Sequence, residues 1–544
     1  MSSSLPPSSP SGGPEYLEQG GGAPYQPGAG RARNLRPVLI SGALVGGLAV
    51  AGGAAWAAMS FLSTGAQPAE ALPASTLGYA SIDLDPAGGQ KVEAVRTLNK
   101  FPAFKDQLNL DTDDDIRKRI FDEIQGGGGC TNLDYAEDIE SWLGNRAAVA
   151  VIDDTPTVVV VVQVTDAEAA QSGLEKLRNC EAGGDADVAA PPDGHLGFAV
   201  EGDWAVLAES SAVATKALGD GAESSLADDL DYQTWTERAG DPGIMSLYVA
   251  PESLSALGAL GGEFGPMAGY SGDTDQEPVP PQAPEVFADF EGMALTMRFD
   301  GGAIELETAG GLGKEASSLY SSQGGDDVMG TLPSDTLAAF GMGFEDGWLT
   351  KIVDQLSGYL GEGRTTADLF AELSDQTGLE LPVDVETMMG DSAVLAVGGD
   401  FDAEQMMSSS DGSDVPIGLK VQGDPEAIQV VLDKLGSQPG SEATIFEADA
   451  EGQVIAIGPN DDYRGRLLVD GTLGESDTFR DVVRDADQAG VVFYLDFDAG
   501  NGWLTTLAGD DPEVAANVER LSAVGISAWS EDGVGHGVLR LTTD

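Results

Sequence analysis

Basic residues and histidines are scarce in this sequence. Its 544 residues include 27 Lys and Arg against 91 Asp and Glu, which gives a formal net charge of −64. A surface with that charge repels phosphate backbones, so nucleic-acid binding is not expected. The chain has only two histidines, His195 and His536. Neither the G-x-S-x-G motif of a serine nucleophile nor the zinc-binding H-E-x-x-H motif occurs in the sequence. We therefore expect a protein that is not an enzyme and has no catalytic residues.

Cysteine is equally rare, with only Cys130 and Cys180 in the chain. An even number of cysteines in an exported protein predicts one disulfide, and two unpaired thiols are the alternative. Closing a loop of about 50 residues would contribute roughly 4 kcal/mol in the chain-entropy model. Two cysteines and two histidines provide too few ligands for a zinc or iron site. We expect no metal and no cofactor.

Acidic residues are so abundant that a pair of them does not identify a site. Asp111, Asp113 and Asp115 match the first ligand positions of a calcium-binding loop. The glycine that such a loop needs at its sixth position is replaced by Ile116. Capping of the following helix is the better interpretation of these carboxylates. A hydrolase that uses an Asp/Glu pair remains an alternative, although no particular pair stands out.

The N-terminal region combines a polar tail with a long uncharged segment. Residues 1–34 are rich in Pro, Gly and Ser, which predicts a disordered tail. No charged residue occurs from 37 to 62, and about 26 apolar residues are enough to cross a bilayer. We predict a transmembrane helix over 35–62. Gly42 and Gly46 form a GxxxG pair that could pack two such helices together.

The distribution of basic residues predicts the orientation of this helix. Arg31, Arg33 and Arg36 precede it, and the next basic residue is Lys91. By the positive-inside rule, the N-terminus lies in the cytoplasm and the remainder of the chain lies outside the cell membrane. A cleavable signal peptide is the alternative, because the Ala-Glu-Ala sequence at 69–71 has the form of a cleavage site.

Internal repetition predicts two tandem copies after a linker at 63–71: ectodomain repeat 1 at 72–325 and ectodomain repeat 2 at 326–544. LPASTLGYASIDLD (72–85) and LPSDTLAAFGMGFED (332–346) both begin with Leu-Pro and continue with the alternating pattern of a strand. The corresponding segments that follow these openings keep the same order in both halves.

Each copy next contains a β-rich hairpin that leads into a helix, with Asp166 in the first copy and Asp424 in the second placed to cap it. The segments 292–308 and 524–543 each consist of two alternating strands joined by a turn with glycine. This mixed order predicts the α+β class with mostly antiparallel sheets and packed helices. The sequence leaves open whether the two copies share one sheet.

The opening LPASTLGYASIDLDP (72–86), the FPAF sequence at 101–104, the duplicated plan and the Pro/Gly-rich tail together resemble a known group of proteins. These are uncharacterised, membrane-anchored proteins with a domain of unknown function, common in actinobacteria. The resemblance covers roughly 70–544 and implies a cell-envelope protein of a Gram-positive, high-GC bacterium. It provides no catalytic residues.

These observations lead to a ranked set of functional expectations. We expect the acidic ectodomain to bind another protein or an envelope component without catalysing a reaction. One alternative is a carrier of an apolar ligand such as a lipid, held between a curved sheet and helices. A carboxylate-based hydrolase is the third interpretation.

Overall fold

The structure is a computed structural model. It describes residues 66–84, 89–102, 117–118, 121, 133–152, 157–181, 196–253, 289–311, 324–356, 365–409, 411–437, 443–500, 503–504 and 512–544. Gly42, Gly46, the whole predicted membrane helix at 35–62 and Cys130 lie outside these residues, and Cys180 is described only by the backbone of its helix. Among the described residues, no helix combines the length and the apolar composition needed to cross a membrane.

The fold contains one large antiparallel sheet, which confirms the predicted α+β class. Its strands are β1 Thr76–Asp83, β2 Leu143–Ile152, β3 Thr157–Val164, β4 Gly197–Glu201, β5 Trp204–Ala208, β6 Met245–Val249, β7 Gly292–Asp300, β8 Ala303–Gly311, β9 Thr336–Gly343, β10 Ser392–Gly398, β11 Ile417–Gln422, β12 Ala448–Glu451, β13 Val454–Ile457, β14 Val491–Asp496, β15 Leu521–Glu531 and β16 Val534–Thr543. All pairs of neighbouring strands are antiparallel.

The order of the strands repeats between the two halves of the sheet. Read from its outer edge, the first half has the order β4-β5-β3-β2-β1-β6-β7-β8. The second half has the order β12-β13-β11-β10-β9-β14-β15-β16. The last strands of the two halves, β8 and β16, pair at the centre, so the 16 strands form one continuous sheet.

The described helices lie on both faces of this sheet. They are α1 Gln90–Leu98, α2 Tyr135–Asp138, α3 Ala167–Glu181, α4 Ser211–Glu223, α5 Leu230–Arg238, α6 Trp348–Leu356, α7 Thr366–Thr377, α8 Val383–Met389, α9 Ala403–Ser408, α10 Pro425–Gly436, α11 Asp461–Leu468, α12 Asp477–Val482 and α13 Pro512–Val518. Asp166 caps α3, since its carboxylate accepts from the backbone N–H of Ala169 at 3.0 Å. Asp424 caps α10 in the same way and accepts from the N–H of Glu426 at 3.0 Å. Both caps were predicted.

Two predicted glycine turns close the hairpins at the centre of the sheet. Gly301 and Gly302, between β7 and β8, have φ values of 59° and 85°. Asp532 and Gly533, between β15 and β16, have φ values of 51° and 83°. Two successive positive φ values define a type I′ turn, whose twist matches that of the strands it connects. The local sequence therefore fixes the register of both hairpins.

One face of the sheet, which we call the packed face, carries the two largest apolar cores. In the first half, α4 and α5 cover buried side chains that include Tyr248 and Ala294. In the second half, α11 and α12 cover Val492, Tyr494 and their neighbours. We call the opposite face the open face. Helices α1, α3 and α10 pack on parts of it, each over a smaller core.

Candidate functional site

The open face carries no charged side chain on the eight central strands from β6 to β10. Alternation along each strand, together with the cross-strand pairs, assigns residues to this face. On β7, for example, the open-face residues are Met293, Leu295, Met297 and Phe299. Charged residues make up 22% of the chain, so their absence here is a departure from its composition.

Large apolar side chains form a continuous row across the open face. Directly paired positions on six adjacent strands are, in order, Leu306, Leu539, Ile526, Phe493, Phe340 and Leu395. We call this set the apolar row. With strands about 4.8 Å apart, the row is about 24 Å long. Phe340 is 43% exposed and Leu395 is 47% exposed, and the other four are partly exposed.

Small residues on the packed face explain why the large side chains point outward. On β9, the packed-face positions beside Phe340 are Ala339 and Gly341. A Cβ on Gly341 would lie 2.5 Å from the carbonyl oxygen of Gly325, so the packed segment requires glycine there. A sheet with one solvated face normally places polar residues on that face. An exposed apolar surface of this extent is typical of an interaction site.

A single lysine lies at the edge of the open face beside β16. Lys100 follows α1, and its Nζ donates to the carbonyl oxygen of Thr543 at 2.5 Å and to Thr543 Oγ1 at 2.9 Å. Thr543 alternates with Leu541 and Leu539 along β16, so it lies on the same face as the apolar row. Within the described part of the chain, Lys100 forms no ion pair.

Four tryptophans on or beside the elements of the sheet divide into two groups. Trp142 and Trp204 are buried, at 3% and 7% exposure. Trp348 and Trp503 are only partly buried. Trp348 packs against Phe344 with ring centroids 4.7 Å apart, beyond the end of β9. Trp503 stacks on Phe497 at 6.3 Å, beyond the end of β14. These last two therefore lie at the ends of strands that carry the apolar row.

The packed face, in contrast, carries a buried network of charges where the two halves meet. Arg298 on β7, Glu305 on β8 and Arg540 on β16 occupy directly paired positions. Arg298 lies 2.6 Å from Glu305, and Arg540 contacts the other carboxylate oxygen of Glu305. Arg540 also pairs with Asp300 at 3.0 Å. We call Arg298, Glu305 and Arg540 the seam triad. Sequence reasoning missed it because Arg540 lies 235 residues from Glu305 in the chain.

A polar pocket of 340 Å³ opens beside the seam triad. It is lined by Gln90, Asp241, Arg298, Asp300, Glu305, Glu307, Arg484, Asp485 and Val538. Burial opposes the charge of Arg298, but Glu307 and Glu305 outweigh burial and raise the pKa of its guanidinium. The arginines are thus paired with carboxylates of the protein itself. The pocket fits a structural role in joining the halves better than a role in binding a charged ligand.

The other residues considered from the sequence do not gather into a site. His536 stacks on Trp529 with ring centroids 5.2 Å apart, and burial lowers the pKa of its imidazole. His195 and the carboxylates Asp111, Asp113 and Asp115 lie outside the described residues. Among the residues that are described, no three His, Cys, Asp or Glu side chains form a group able to hold a metal ion.

The fold and the open face define an α+β protein with one large antiparallel sheet and an uncharged, apolar surface at its centre. The chain belongs to the family described as "Protein of unknown function (DUF3352)", whose model matches residues 38–411. The match begins inside the segment predicted to cross the membrane and ends after β10. No curated protein and no solved structure matches the chain.

Proposed function

We propose that this chain is a non-enzymatic, single-pass protein of an actinobacterial cell envelope whose ectodomain binds an apolar component of that envelope on the open face. The apolar row is the observation that carries this proposal. It joins two of the functions expected from the sequence, the binding of an envelope component and the carriage of an apolar ligand. The ion-paired carboxylates of the polar pocket give little support to a hydrolase.

The first described residues support anchoring by the helix predicted at 35–62. The 3-10 turn Pro68–Ala71 packs into the core of the packed face, with Ala69 and Ala71 only 1% and 4% exposed. Residues 63–67 can span at most about 17 Å, so the sheet would lie next to the bilayer surface. Signal-peptide cleavage after Ala71 would remove both alanines from the core, which favours retention of the anchor.

The repeated strand order supports the proposal that 72–325 and 326–544 are tandem copies. The two halves differ on the open face. In the first half, α1 packs over Ile82, Met245 and Met297, which continue the apolar row beyond Leu306. In the second half, the side chains from Leu539 to Leu395 remain partly exposed. The ligand would therefore lie mainly on the second copy.

The first test identifies what remains bound to the full-length protein after purification in detergent. Native mass spectrometry with lipid extraction is expected to show a stoichiometric apolar ligand on the wild-type chain. Phe340→Asp and Leu395→Asp should each reduce its occupancy at least tenfold, because a carboxylate in the row would have to be desolvated by the ligand. Leu230→Asp is the matched control, since Leu230 is 75% exposed on α5.

The outcomes separate the proposal from its rivals. Equal ligand content in the Phe340, Leu395 and Leu230 variants would place the ligand away from the open face. A second outcome is a wild-type chain that carries no apolar ligand and captures an envelope protein, with capture lost in Phe340→Asp. That result would show that the open face binds a protein rather than a lipid. Both substituted side chains are already partly exposed, so the variants should keep the stability of the wild type and remain interpretable.

A further inference from the structure

We infer that Lys100 binds the polar end of the ligand on the open face, and that the ligand is a long acyl chain ending in a carboxylate. This inference rests on the proposed function and adds a ligand class to it. The observation that supports it is the position of the Lys100 ammonium group at the end of β16, which is one of the strands that the apolar row crosses.

The geometry leaves Lys100 able to bind a further group. Its two contacts, to the carbonyl oxygen and to Oγ1 of Thr543, are 2.5 and 2.9 Å long and fix the position of Nζ. An ammonium group has three donors, so one N–H remains for a ligand. The side chain is partly buried. An anionic acceptor at this place would form a charge-assisted hydrogen bond, which is roughly twice as strong as a neutral one.

Lys100 has no carboxylate partner within 4 Å among the described residues. Lys176, Lys216 and Lys351 each form an ion pair with an aspartate or a glutamate. Lys100 forms none within the residues that the structure describes, although acidic residues outnumber basic ones 91 to 27. Lys420 likewise donates to the carbonyl oxygen and Oγ1 of a threonine, Thr331, and forms no ion pair among the described residues, but it is only 2% exposed. Lys100 differs because it is partly exposed at the edge of the open face, where a ligand carboxylate would pair with its Nζ.

The spacing along β16 connects Lys100 to the apolar row. Thr543, Leu541 and Leu539 alternate on the open face, and at about 3.4 Å per residue Thr543 lies about 14 Å from Leu539. Leu539 belongs to the apolar row, which extends a further 19 Å or so to Leu395. An acyl chain held at Lys100 would pass Leu541, reach the row and lie across it.

The net charge of the molecule favours a ligand whose polar end carries one negative charge over a ligand whose polar end carries more. The net charge of −64 repels an anion in proportion to the charge that the anion carries. Screening limits this repulsion to about 8 Å at physiological ionic strength, whereas the contact with Lys100 is local. A monocarboxylate therefore meets less repulsion than a phosphate that carries a higher charge, and it still accepts from Nζ.

The test uses the full chain in proteoliposomes and photoactivatable lipid probes that carry a diazirine on the acyl chain. The probes are a long-chain fatty acid, its uncharged methyl ester and a phospholipid with the same chain. After irradiation, mass spectrometry maps the label to peptides that contain β9, β14 and β16. The expected result for the wild type is labelling of these peptides at a lower concentration of the acid than of the ester.

Variants at Lys100 test the assignment of the polar end. Lys100→Gln should weaken labelling by the acid about tenfold and leave labelling by the ester unchanged, because only the acid loses a charge-assisted contact. Lys100→Arg should restore most of the preference for the acid. Lys216→Gln is the matched control, since Lys216 lies on α4 and its side chain is 56% exposed.

Each remaining outcome contradicts a different statement. Equal labelling of the open face by acid and ester, unchanged in Lys100→Gln, would overturn the role of Lys100 and keep apolar binding. Stronger labelling by the phospholipid, again dependent on Lys100, would overturn the carboxylate as the ligand's polar end. Labelling of the membrane segment alone by all three probes would contradict the proposed function itself.

Discussion

Replacement of Arg540 by methionine should lower the free energy of unfolding by about 3 kcal/mol, because it breaks a buried charge network. The side chains of Arg540 and Glu305 are 3% and 7% exposed, and they join β16 to β8 across the middle of the sheet. Methionine keeps much of the volume of arginine but cannot pair with the carboxylate. Glu305 would then be left with Arg298 as its close partner.

The expected cost of Arg540→Met depends on the ion pairs that Glu305 keeps after the substitution. Removal of one partner of a buried ion pair usually costs about 3–5 kcal/mol. Arg298 still lies 2.6 Å from Glu305, which places the expected cost near the lower end of that range. Arg540 also donates from Nε to the carbonyl oxygen of Asp481 at 2.8 Å, and this hydrogen bond is lost as well. The sum is consistent with about 3 kcal/mol.

Equilibrium unfolding in urea, followed by tryptophan fluorescence and by far-ultraviolet circular dichroism, measures this change. The two signals must change together, because only a two-state transition yields a free energy. Arg480→Met is the matched control: the Arg480 side chain is 58% exposed and pairs with a fully exposed Asp477 at 3.4 Å. Its cost should stay below about 0.5 kcal/mol.

Two results would refute the reasoning about the seam triad. One is a cost for Arg540→Met no greater than that of Arg480→Met. The other is strict additivity in the double variant Arg298→Met with Arg540→Met. Both arginines bind Glu305 closely, so removal of both should leave that buried carboxylate with the more distant Arg484, 4.0 Å away, as its charge partner among the described residues. The coupling free energy between the two sites should then be about 0.5–3 kcal/mol.

Two further predictions concern single carboxylates. Burial and the neighbouring Asp327 raise the pKa of Asp326 to about 6, so stability should fall as pH rises from about 4 to about 6. Asp326→Asn should remove this fall and stabilise the protein by about 1 kcal/mol at pH 7.5, after a discount for partial exposure. Asp327→Asn removes only the neighbouring charge and leaves the burial of Asp326, so it should reduce the fall less than Asp326→Asn does. Asp424→Ala should cost about 1 kcal/mol through loss of the α10 cap, and Asp433→Ala, later in that helix, should cost less; urea unfolding measures both.

Several local features could be predicted because their contacts lie within a few residues of one another. The cap formed by Asp166 depends on N–H groups two and three residues later. The turn at Asp532 and Gly533 depends on the backbone preferences of those two residues. The strand β9 is marked by its own alternation. In each case the interactions that stabilise the structure are formed within the segment itself.

The apolar row, in contrast, could not be located from its strands taken singly. On β14, the sequence VVFYLD is apolar on both faces, with Val492 and Tyr494 on one and Phe493 on the other. Alternation gives the period of the side chains but not which set is covered. That depends on where the helices pack, and the buried set proved to be Val492 and Tyr494.

The sequence by itself determined the α+β class, the central hairpins, the helix caps and the acidity of the surface, because each follows from local pattern or composition. Only the tertiary structure decided that β8 pairs with β16, since that contact joins residues such as Glu305 and Arg540, which are 235 positions apart. That one pairing makes a single sheet from two sets of strands. It also brings the seam triad together and joins Leu306 to Leu539 within the apolar row.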